Sequence, residues 1–281
     1  MKDDGLIEDI TGQRPQRRSP MGGGCIADVE RLEMPDGRRL VAKWGGHGSG
    51  LELEGRMLVD LKEGGLAVPD VLYYDDSLLL MTYLESSGGL TRKAQAEAAD
   101  AVAALHNTRG PFFGYHYDTV IGGLPQPNPR YDRWVPFFAE MRLIDRARRA
   151  LDDGRMPRRL MDRVEAFAGK VDRWIGEPEH PSLIHGDMWT GNVLCRDGHL
   201  AGFIDPAVYF AHPEIELAFS TLFGTFGEPF FERYQQHRRL EPGFFEERRD
   251  IYNLYPLLVH VHLFGGGYVG SVERILGRFG F

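Results

Sequence analysis

The first third of the chain alternates short apolar stretches with turn-forming residues. Aliphatic and aromatic side chains at residues 26–32, 40–44, 68–72 and 78–84 are accompanied by Gly, Pro and Asp residues, a pattern typical of β-strands and turns. Residues 51–63 change to the spacing of an amphipathic helix, which a Gly-Gly pair ends. The pattern predicts five strands and one helix within roughly the first 84 residues.

Beyond residue 90 the pattern is mainly helical. The Ser- and Gly-rich residues 85–90 have the composition of a flexible linker, and Thr91 is a suitable N-cap for a helix that runs to Leu105. Residues 182–205 return to strand character, and residues 122–130 are too irregular for an element. The order predicts an α+β, bilobal fold with a ligand cleft between a β-rich N-lobe (residues 1–84) and a helical C-lobe (residues 91–281).

Composition and charge narrow the functional classes. The 281 residues include 33 Lys and Arg against 41 Asp and Glu, a formal net charge of −8 that argues against duplex nucleic acid as the main ligand. The longest apolar run is far shorter than a membrane span, and the N-terminal residues lack an apolar signal region. The two cysteines, Cys25 and Cys195, favour a reducing compartment. We therefore expect a cytoplasmic protein that binds neither nucleic acid nor membranes.

One carboxylate interrupts the apolar face of the first long helix. Glu54 shares this face with three apolar residues, Met57, Leu58 and Leu61. Burial of an unpaired carboxylate is costly, so Glu54 requires a cationic partner, and the strand residue Lys43 is the obvious one. Such a pair would hold the ammonium where it can meet nucleotide phosphates. A surface ion pair without a ligand is the alternative.

A pattern typical of a kinase catalytic loop begins at residue 185. The sequence His-Gly-Asp ends at Asp187, and Asn192 follows it at the spacing found in kinases. Between Asn192 and Asp205, an Asp-Gly turn at 197–198 predicts a hairpin that pairs residue 192 with residue 203. The oxygens of Asn192 and Asp205 suit Mg²⁺ shared with substrate phosphates, which leaves Asp187 to accept a hydroxyl proton. Turn capping is the alternative role of these residues.

Three consecutive glycines stand near the N-terminus at Gly22, Gly23 and Gly24. Their backbone N–H groups can approach a phosphate closely, although three glycines can equally serve a tight turn. The order along the chain separates these interpretations. A Gly-rich turn, a strand Lys, a helix Glu, His-Gly-Asp, Asn and Asp follow one another as they do in kinases, which indicates ATP binding.

Three longer segments resemble the fructosamine kinase (ketosamine-3-kinase) family, relatives of the aminoglycoside phosphotransferases within the protein-kinase-like fold. They are HGDMWTGN, FIDPAVYFAHPEIELAFSTLFGTF and FGYHYDTVIGGLPQPNPRYDRWVPFFAEMRL, and the resemblance extends from Gly22 to about Phe231. It implies transfer of the γ-phosphoryl group of ATP, with Mg²⁺, to the 3-hydroxyl of a ketosamine. The acceptors would be fructosamine, ribulosamine or erythrulosamine adducts of small amines or of protein lysines. Breakdown of the 3-phosphate would then release the amine, so the implied role is deglycation.

The resemblance also implies a role for each residue of the predicted site. Asp187 would accept the proton, Asn192 and Asp205 would bind Mg²⁺, and Lys43, fixed by Glu54, would contact the α- and β-phosphates. The interlobe hinge that faces adenine would comprise Met81, Thr82, Tyr83 and Leu84. The residues that border the sugar pocket would be Trp189, Asn128 and Trp134.

Three further expectations concern single residues. Because phosphoryl transfer depends on alignment and charge neutralisation, Asp187 is expected to keep a nearly ordinary, low pKa. Glu216 stands where the family usually has Asp, and it is expected to support the catalytic loop. Cys25 follows the glycines, and the resemblance implies a regulatory intermolecular disulfide there; a small buried hydrophobic residue is the alternative.

Two other functions stay open at this point. One is a kinase of the same fold that acts on another hydroxyl, such as that of an aminoglycoside or choline. The other is a nucleotide-binding pseudokinase, although a binding-only protein has no need of both a proton acceptor and metal ligands. The sequence also leaves open the physiological amine, the preferred sugar length and the oligomeric state.

Overall fold

A five-stranded antiparallel sheet forms the N-terminal part of the protein in this computed structural model, which describes residues 3–22 and 28–281. In spatial order the strands are β1 (Arg17–Pro20), β2 (Asp28–Glu33), β3 (Arg39–Trp44), β5 (Leu78–Thr82) and β4 (Val71–Tyr74). The number of strands agrees with the prediction, although β1 precedes the apolar stretches on which it rested, and β5 ends at Thr82 and not at Leu84. Gly23, Gly24 and Cys25 lie outside the described residues, and the predictions made for them are not tested.

Alternation along the strands gives this sheet two buried faces. Leu40 and Leu80 face a small cluster with Ile7, which lies on a helix that the sequence did not predict, α1 (Asp4–Thr11). Val41 and Met81 face the main core together with α2 (Leu51–Glu63), whose bounds agree with the prediction. Because side chains alternate with a period of two, Lys43 on β3 lies on the same face as Val41, toward α2.

Helices form most of the remaining chain. They are α3 (Arg92–Leu105), α4 (Trp134–Phe137), α5 (Asp145–Asp152), α6 (Arg158–Ala168), α7 (Pro213–Leu222), α8 (Glu228–His237), α9 (Arg249–Phe264) and α10 (Val269–Arg278). Thr91 caps α3 as predicted, because its hydroxyl accepts a hydrogen bond from Ala94 N at 3.1 Å. Within the described ranges, every helix is too short or too polar to cross a bilayer.

Pairs of short strands interrupt the helical part. β6 (Thr119–Ile121) pairs with β7 (Leu124–Gln126), and β8 (Ser182–Ile184) pairs with β11 (Tyr209–Ala211). The β6–β7 hairpin corrects the expectation that residues 122–130 contain no element. Gly122 and Gly123 both have positive φ, 55° and 80°, which is the conformation that a two-residue hairpin turn requires.

The hairpin of β9 (Val193–Arg196) and β10 (His199–Phe203) forms around the predicted Asp-Gly turn. A bulge between Leu200 and Gly202 shifts the register, so Phe203 pairs with Val193 and not with Asn192 as predicted. The bulge lies against the loop after α2, where Phe203 N donates to Ala67 O at 2.8 Å. Ala67 belongs to the N-terminal part of the protein, so this hydrogen bond holds the β9–β10 hairpin, and with it Asp205, against that part.

Candidate active site

Lys43 joins the N-terminal sheet to two carboxylates from other elements. Its ammonium Nζ lies 2.7 Å from Glu54 Oε1 on α2 and 2.5 Å from Asp205 Oδ1 beyond β10. The Lys43 and Glu54 side chains are only 12% and 16% exposed. Burial alone would lower the pKa of Lys43, but the two carboxylates outweigh it and hold that pKa above its ordinary value. The predicted pair therefore forms, and its ammonium stays charged.

α2 is itself anchored to the helical part of the chain. Asp60 follows Glu54 on α2 and accepts hydrogen bonds from the phenol groups of Tyr115 at 2.8 Å and Tyr117 at 2.5 Å. The Arg56 guanidinium lies 3.9 Å from the centre of the Tyr117 ring. These contacts fix the position of the helix that presents Glu54.

The loop that carries Asp187 is held by the backbone of its neighbours. Gly186 has φ 86°, and a Cβ at this position would lie 2.0 Å from Ala207 O. Gly186 N donates to Glu216 Oε1 at 2.7 Å, and the other oxygen of this buried carboxylate lies 2.8 Å from His106 Nε2. Glu216 therefore supports the loop as predicted, and Gly is required at 186 because a side chain would collide with the backbone.

Asn192 contacts both aspartates of the site, through the carboxylate of Asp187 and the main-chain carbonyl of Asp205. Its Nδ2 lies 2.9 Å from Asp187 Oδ2, 2.8 Å from Asp187 O and 3.3 Å from Asp205 O. Asp205 has φ 53°, an uncommon conformation for a residue other than glycine, and its side chain is 41% exposed. The three residues that the sequence spacing singled out are therefore adjacent in space.

The pKa of Asp187 departs from the expectation. Burial raises it to about 7; the hydrogen bond from Asn192 opposes this rise, and the nearby negative charge of Asp205 adds to it. The prediction of a nearly ordinary pKa was wrong because it considered only the needs of phosphoryl transfer. Desolvation of the loop was not visible in the sequence.

A cavity of about 320 Å³ lies against these residues. Lys43, Glu54, Asp187, Asn192 and Asp205 line one part of it. Much of the remaining lining is apolar. Residues of the β6–β7 hairpin, α7 and α9 contribute to it, among them Val120, Phe219, Pro256, Val259, Leu263 and Phe264. Sequence reasoning assigned none of these apolar residues to a site, because their pattern equally fits a helical core.

The predicted sugar-pocket residues have different positions. Trp189 lines the cavity, and a Cβ at Gly191 would lie 2.4 Å from its indole ring. Asn128 and Trp134 do not line the cavity: both are buried, Asn128 receives a hydrogen bond from Arg142 at 2.5 Å, and the Trp134 indole donates to Tyr252 at 3.2 Å. The structure therefore brings only Trp189 of these three residues to the cavity.

The remaining nucleotide-site predictions concern residues 81–84 and Gly22 in the N-terminal part of the chain. Residues 81–84 cover the end of β5 and the two residues after it. Tyr83 N donates to Arg39 O at 3.0 Å, and a Cβ at Gly202 would lie 2.8 Å from Leu84 Cδ1. This position is next to the β9–β10 hairpin but outside the cavity lining. Gly22 is exposed and also lies outside that lining. The roles predicted for these residues remain predictions.

Comparisons with known proteins agree with this arrangement. A Synechocystis protein named as a probable ketoamine kinase is 37% identical over 204 residues, 71% of this chain and 66% of that protein. The chain thus spans just under two thirds of that relative's length. An Arabidopsis thaliana chloroplastic protein-ribulosamine 3-kinase is 32% identical over 205 residues, 71% of this chain and 61% of that protein.

The similarity extends to solved structures and to the family as a whole. A crystal structure from Thermobifida fusca that bears the name fructosamine-3-kinase superposes with a TM-score of 0.87 at 32% identity, with 98% of each chain covered. This agreement confirms the predicted α+β, bilobal, protein-kinase-like fold. The model of the fructosamine kinase family matches residues 4–279, and the chain belongs to this family.

Proposed function

We propose that this protein is an ATP-dependent phosphotransferase that phosphorylates the 3-hydroxyl of ketosamines and thereby initiates deglycation. Membership of the fructosamine kinase family and the names of its ketoamine and ribulosamine kinase relatives support this function. The observation that carries the proposal is the convergence of Lys43, Asp187, Asn192 and Asp205 on one cavity. These residues come from separate parts of the chain, and only the fold brings them together.

The proposed chemistry uses the Asp187 carboxylate as the acceptor of the hydroxyl proton. Asn192 holds this side chain from Nδ2 at 2.9 Å, which restricts the direction in which the carboxylate can receive a proton. The Lys43 ammonium, positioned by Glu54, contacts the nucleotide phosphates and offsets their charge. Phosphoryl transfer needs little covalent help from the protein, so this alignment supplies most of the catalytic effect.

Asn192 and Asp205 fit a magnesium ion. Their amide and carboxylate oxygens are hard donors, and the hydrogen bonds of the Asn192 side chain use its amide nitrogen. The described residues contain no group of three or more His, Cys, Asp or Glu able to hold a metal, so in this proposal the substrate phosphates supply the other ligands. When bound, Mg²⁺ neutralises phosphate charge and favours ionised carboxylates nearby.

Other parts of the proposal rest on the resemblance. Residues 81–84, at the end of the N-lobe (residues 1–84), face adenine, and residues 85–90 form the hinge or linker to the C-lobe (residues 91–281). Gly22 begins the phosphate loop. Trp189 borders the sugar, with support from its place in the cavity lining. The acceptors are small ketosamines or glycated protein lysines. The two cysteines of the chain support a reducing cytoplasm as its location.

An aminoglycoside acceptor fits the cavity less well than a ketosamine. Aminoglycosides carry several ammonium groups, and a site for them requires carboxylates beyond those that serve catalysis. Among the described residues that line the cavity, the acidic ones are Glu54, Asp187 and Asp205, and each belongs to the phosphate end. A pseudokinase is disfavoured because the complete catalytic set is present.

A direct assay tests the function. Purified protein with Mg·ATP is offered synthetic erythrulosamine, ribulosamine and fructosamine adducts, together with choline and an aminoglycoside, and ADP release is followed. We expect turnover with the ketosamines and a phosphorus NMR signal of a sugar 3-phosphate that decays as free amine appears. Turnover with choline or the aminoglycoside alone would contradict the proposal.

Asp187→Asn provides the matched control for this assay. Loss of a general base costs about 10²–10⁴-fold in rate, so we expect kcat to fall within that range. The Kd for ATP should stay within a few fold of the wild-type value, because the amide keeps the shape of the side chain. A variant with wild-type turnover would remove Asp187 from the mechanism.

A further inference from the structure

The cavity beside the catalytic residues has two chemically different parts. The phosphate end carries Lys43 and three carboxylates. A second set of lining residues, which we call the apolar wall, comprises Val120, Phe219, Pro256, Val259, Leu263 and Phe264. Among the described residues that line the cavity, charged side chains are confined to the phosphate end. The two parts are therefore suited to different portions of one acceptor.

The apolar wall is continuous and crosses between elements. A Cβ on Gly50, at the start of α2, would lie 3.9 Å from Val120, which precedes the β6–β7 turn. A Cβ on Gly122 in that turn would lie 3.0 Å from Leu263 on α9. The turn therefore closes the gap between α2 and α9, and the wall it completes faces the same cavity as Asp187.

Exposed aromatic rings extend this wall outward. Phe264, the last residue of α9, is 61% exposed although its ring lies 5.7 Å from that of His260 and 6.1 Å from that of Tyr268. The His260 ring also lies 4.9 Å from that of Phe223, which is itself exposed. Exposed aromatic side chains beside a cavity mark a surface that a ligand covers.

The wall also lacks a charge for a polar substituent. His260 on α9 also lines the cavity; its Nδ1 lies 2.7 Å from Pro256 O, and burial lowers the pKa of this imidazole. The ring is therefore neutral near pH 7 and offers no cation to a carboxylate. An amine that carries a carboxylate close to its nitrogen gains nothing from this surface.

The chemistry of a ketosamine places the amine near this wall. When the 3-oxygen is at Asp187, the amine nitrogen is separated from it by C3, C2 and C1, roughly 5 Å at about 1.5 Å per bond. The substituent on that nitrogen therefore starts inside the cavity and must contact one of its walls. The proposed function assigns the phosphate end to ATP and the metal, and the apolar wall is the largest apolar surface that the α9 side of the cavity offers to this substituent.

We propose that the apolar wall, with Phe264 at its outer end, is a subsite for the amine substituent and selects ketosamines whose substituent is an uncharged alkyl or aryl chain. The proposal rests on the proposed function and deepens it by naming the class of amine. The tetramethylene portion of a glycated lysine belongs to this class. Adducts of small amino acids, whose carboxylate lies next to the amine, do not.

The test compares three ribulosamines that differ only in the amine: butylamine, ethanolamine and glycine. We expect kcat/KM for the butylamine adduct to exceed that of the other two by about tenfold, mainly through KM, as a hydrophobic pocket discriminates. Phe264→Ser should reduce this preference to within about threefold. Phe245→Ser, which truncates another exposed aromatic ring away from the cavity, is the control and should keep it.

Binding measured by calorimetry on the Asp187→Asn protein separates this proposal from the proposed function. The subsite is supported when the butylamine adduct binds more tightly than the other two and Phe264→Ser in the same background abolishes this difference. If the wild-type protein then phosphorylates none of the adducts, only the proposed function is contradicted. Phosphorylation of all three adducts with equal kcat/KM overturns the subsite and leaves the function intact. Neither binding nor phosphorylation of any adduct overturns both.

Discussion

Glu54→Gln tests whether the buried ion pair positions Lys43 for nucleotide phosphates. The substitution keeps the size of the side chain and an oxygen that can accept from Lys43 Nζ, now 2.7 Å away, but it removes the negative charge. Lys43 is then left with Asp205 as its charged partner, at 2.5 Å. The ammonium is then expected to pair more strongly with Asp205 and to compete with Mg²⁺ for this proposed ligand.

The size of the effect follows from burial and from what remains. Removal of one partner of a buried pair costs about 3–5 kcal/mol when the other charge is left alone. Here Asp205 still pairs with Lys43 and the amide still accepts a hydrogen bond, so the loss in the free energy of unfolding should be about 1–2 kcal/mol. The functional loss should be larger, roughly 30- to 100-fold in kcat/KM for ATP, or about 2–3 kcal/mol of transition-state stabilisation.

Glu52→Gln is the matched control for this experiment. Glu52 lies on the same helix and is exposed, so its substitution should change the free energy of unfolding by less than about 0.5 kcal/mol and kcat/KM by less than about twofold. Urea denaturation and steady-state kinetics with varied ATP measure both quantities. If Glu54→Gln and Glu52→Gln give the same kcat/KM for ATP, the pair does not position Lys43 and the reasoning fails.

Three further predictions concern the scaffold of the site. Gly186→Ala should lower the free energy of unfolding by about 3 kcal/mol or more, because its Cβ would lie 2.0 Å from Ala207 O. The control Gly154→Ala, at φ 68° in open space, should cost about 1 kcal/mol. Equal losses measured by urea denaturation would contradict the close contact at Gly186. Burial and nearby Arg side chains lower the pKa of His212 to about 3, so below about pH 6.5 the unfolded chain takes up a proton that the folded chain does not. The free energy of unfolding should therefore fall by up to about 1.4 kcal/mol per pH unit. His212→Asn should show a weaker dependence of this free energy on pH between pH 7 and 5, and an unchanged dependence would refute the assignment. Tyr117→Phe removes one hydrogen bond to Asp60 on α2 and should lower the free energy of unfolding by about 1–2 kcal/mol. It should also raise the KM for ATP a few fold, because α2 presents Glu54 to Lys43. A normal KM with reduced stability would show that this hydrogen bond is only structural.

Elementary physical rules were sufficient to predict the polar part of the site. Glu54 lies on an apolar helical face, where desolvation demands a cation, and Lys43 is the cation that the structure places there. The Asp-Gly pair at 197–198 set a two-residue hairpin that returns Asp205 to Asn192. In both cases a local pattern identifies the residues that meet, and the tertiary fold supplies the contact itself.

Predictions failed where a distant contact decides the outcome. The register of the β9–β10 hairpin shifts by one residue because a bulge next to Gly202 brings the strand against Ala67, a residue far away in sequence. The pKa of Asp187 rises to about 7 because the folded loop is desolvated, which the reaction chemistry alone does not indicate. Trp134 lies within a segment that resembles the family, yet its indole packs against other aromatic rings and not at the cavity.

The apolar wall shows why acceptor specificity is harder to predict than catalysis. Charged residues in an apolar segment require an explanation, so Lys43 and Glu54 are conspicuous in the sequence. Val259 and Leu263 on α9 need none, because apolar residues at helical spacing are what any buried helix contains. Their role depends on the β6–β7 turn, which meets Leu263 from a distant part of the chain and leaves a cavity where a core would otherwise continue. Selectivity for the amine is therefore determined by the space that several elements leave between them, and such a space has no local pattern in the sequence.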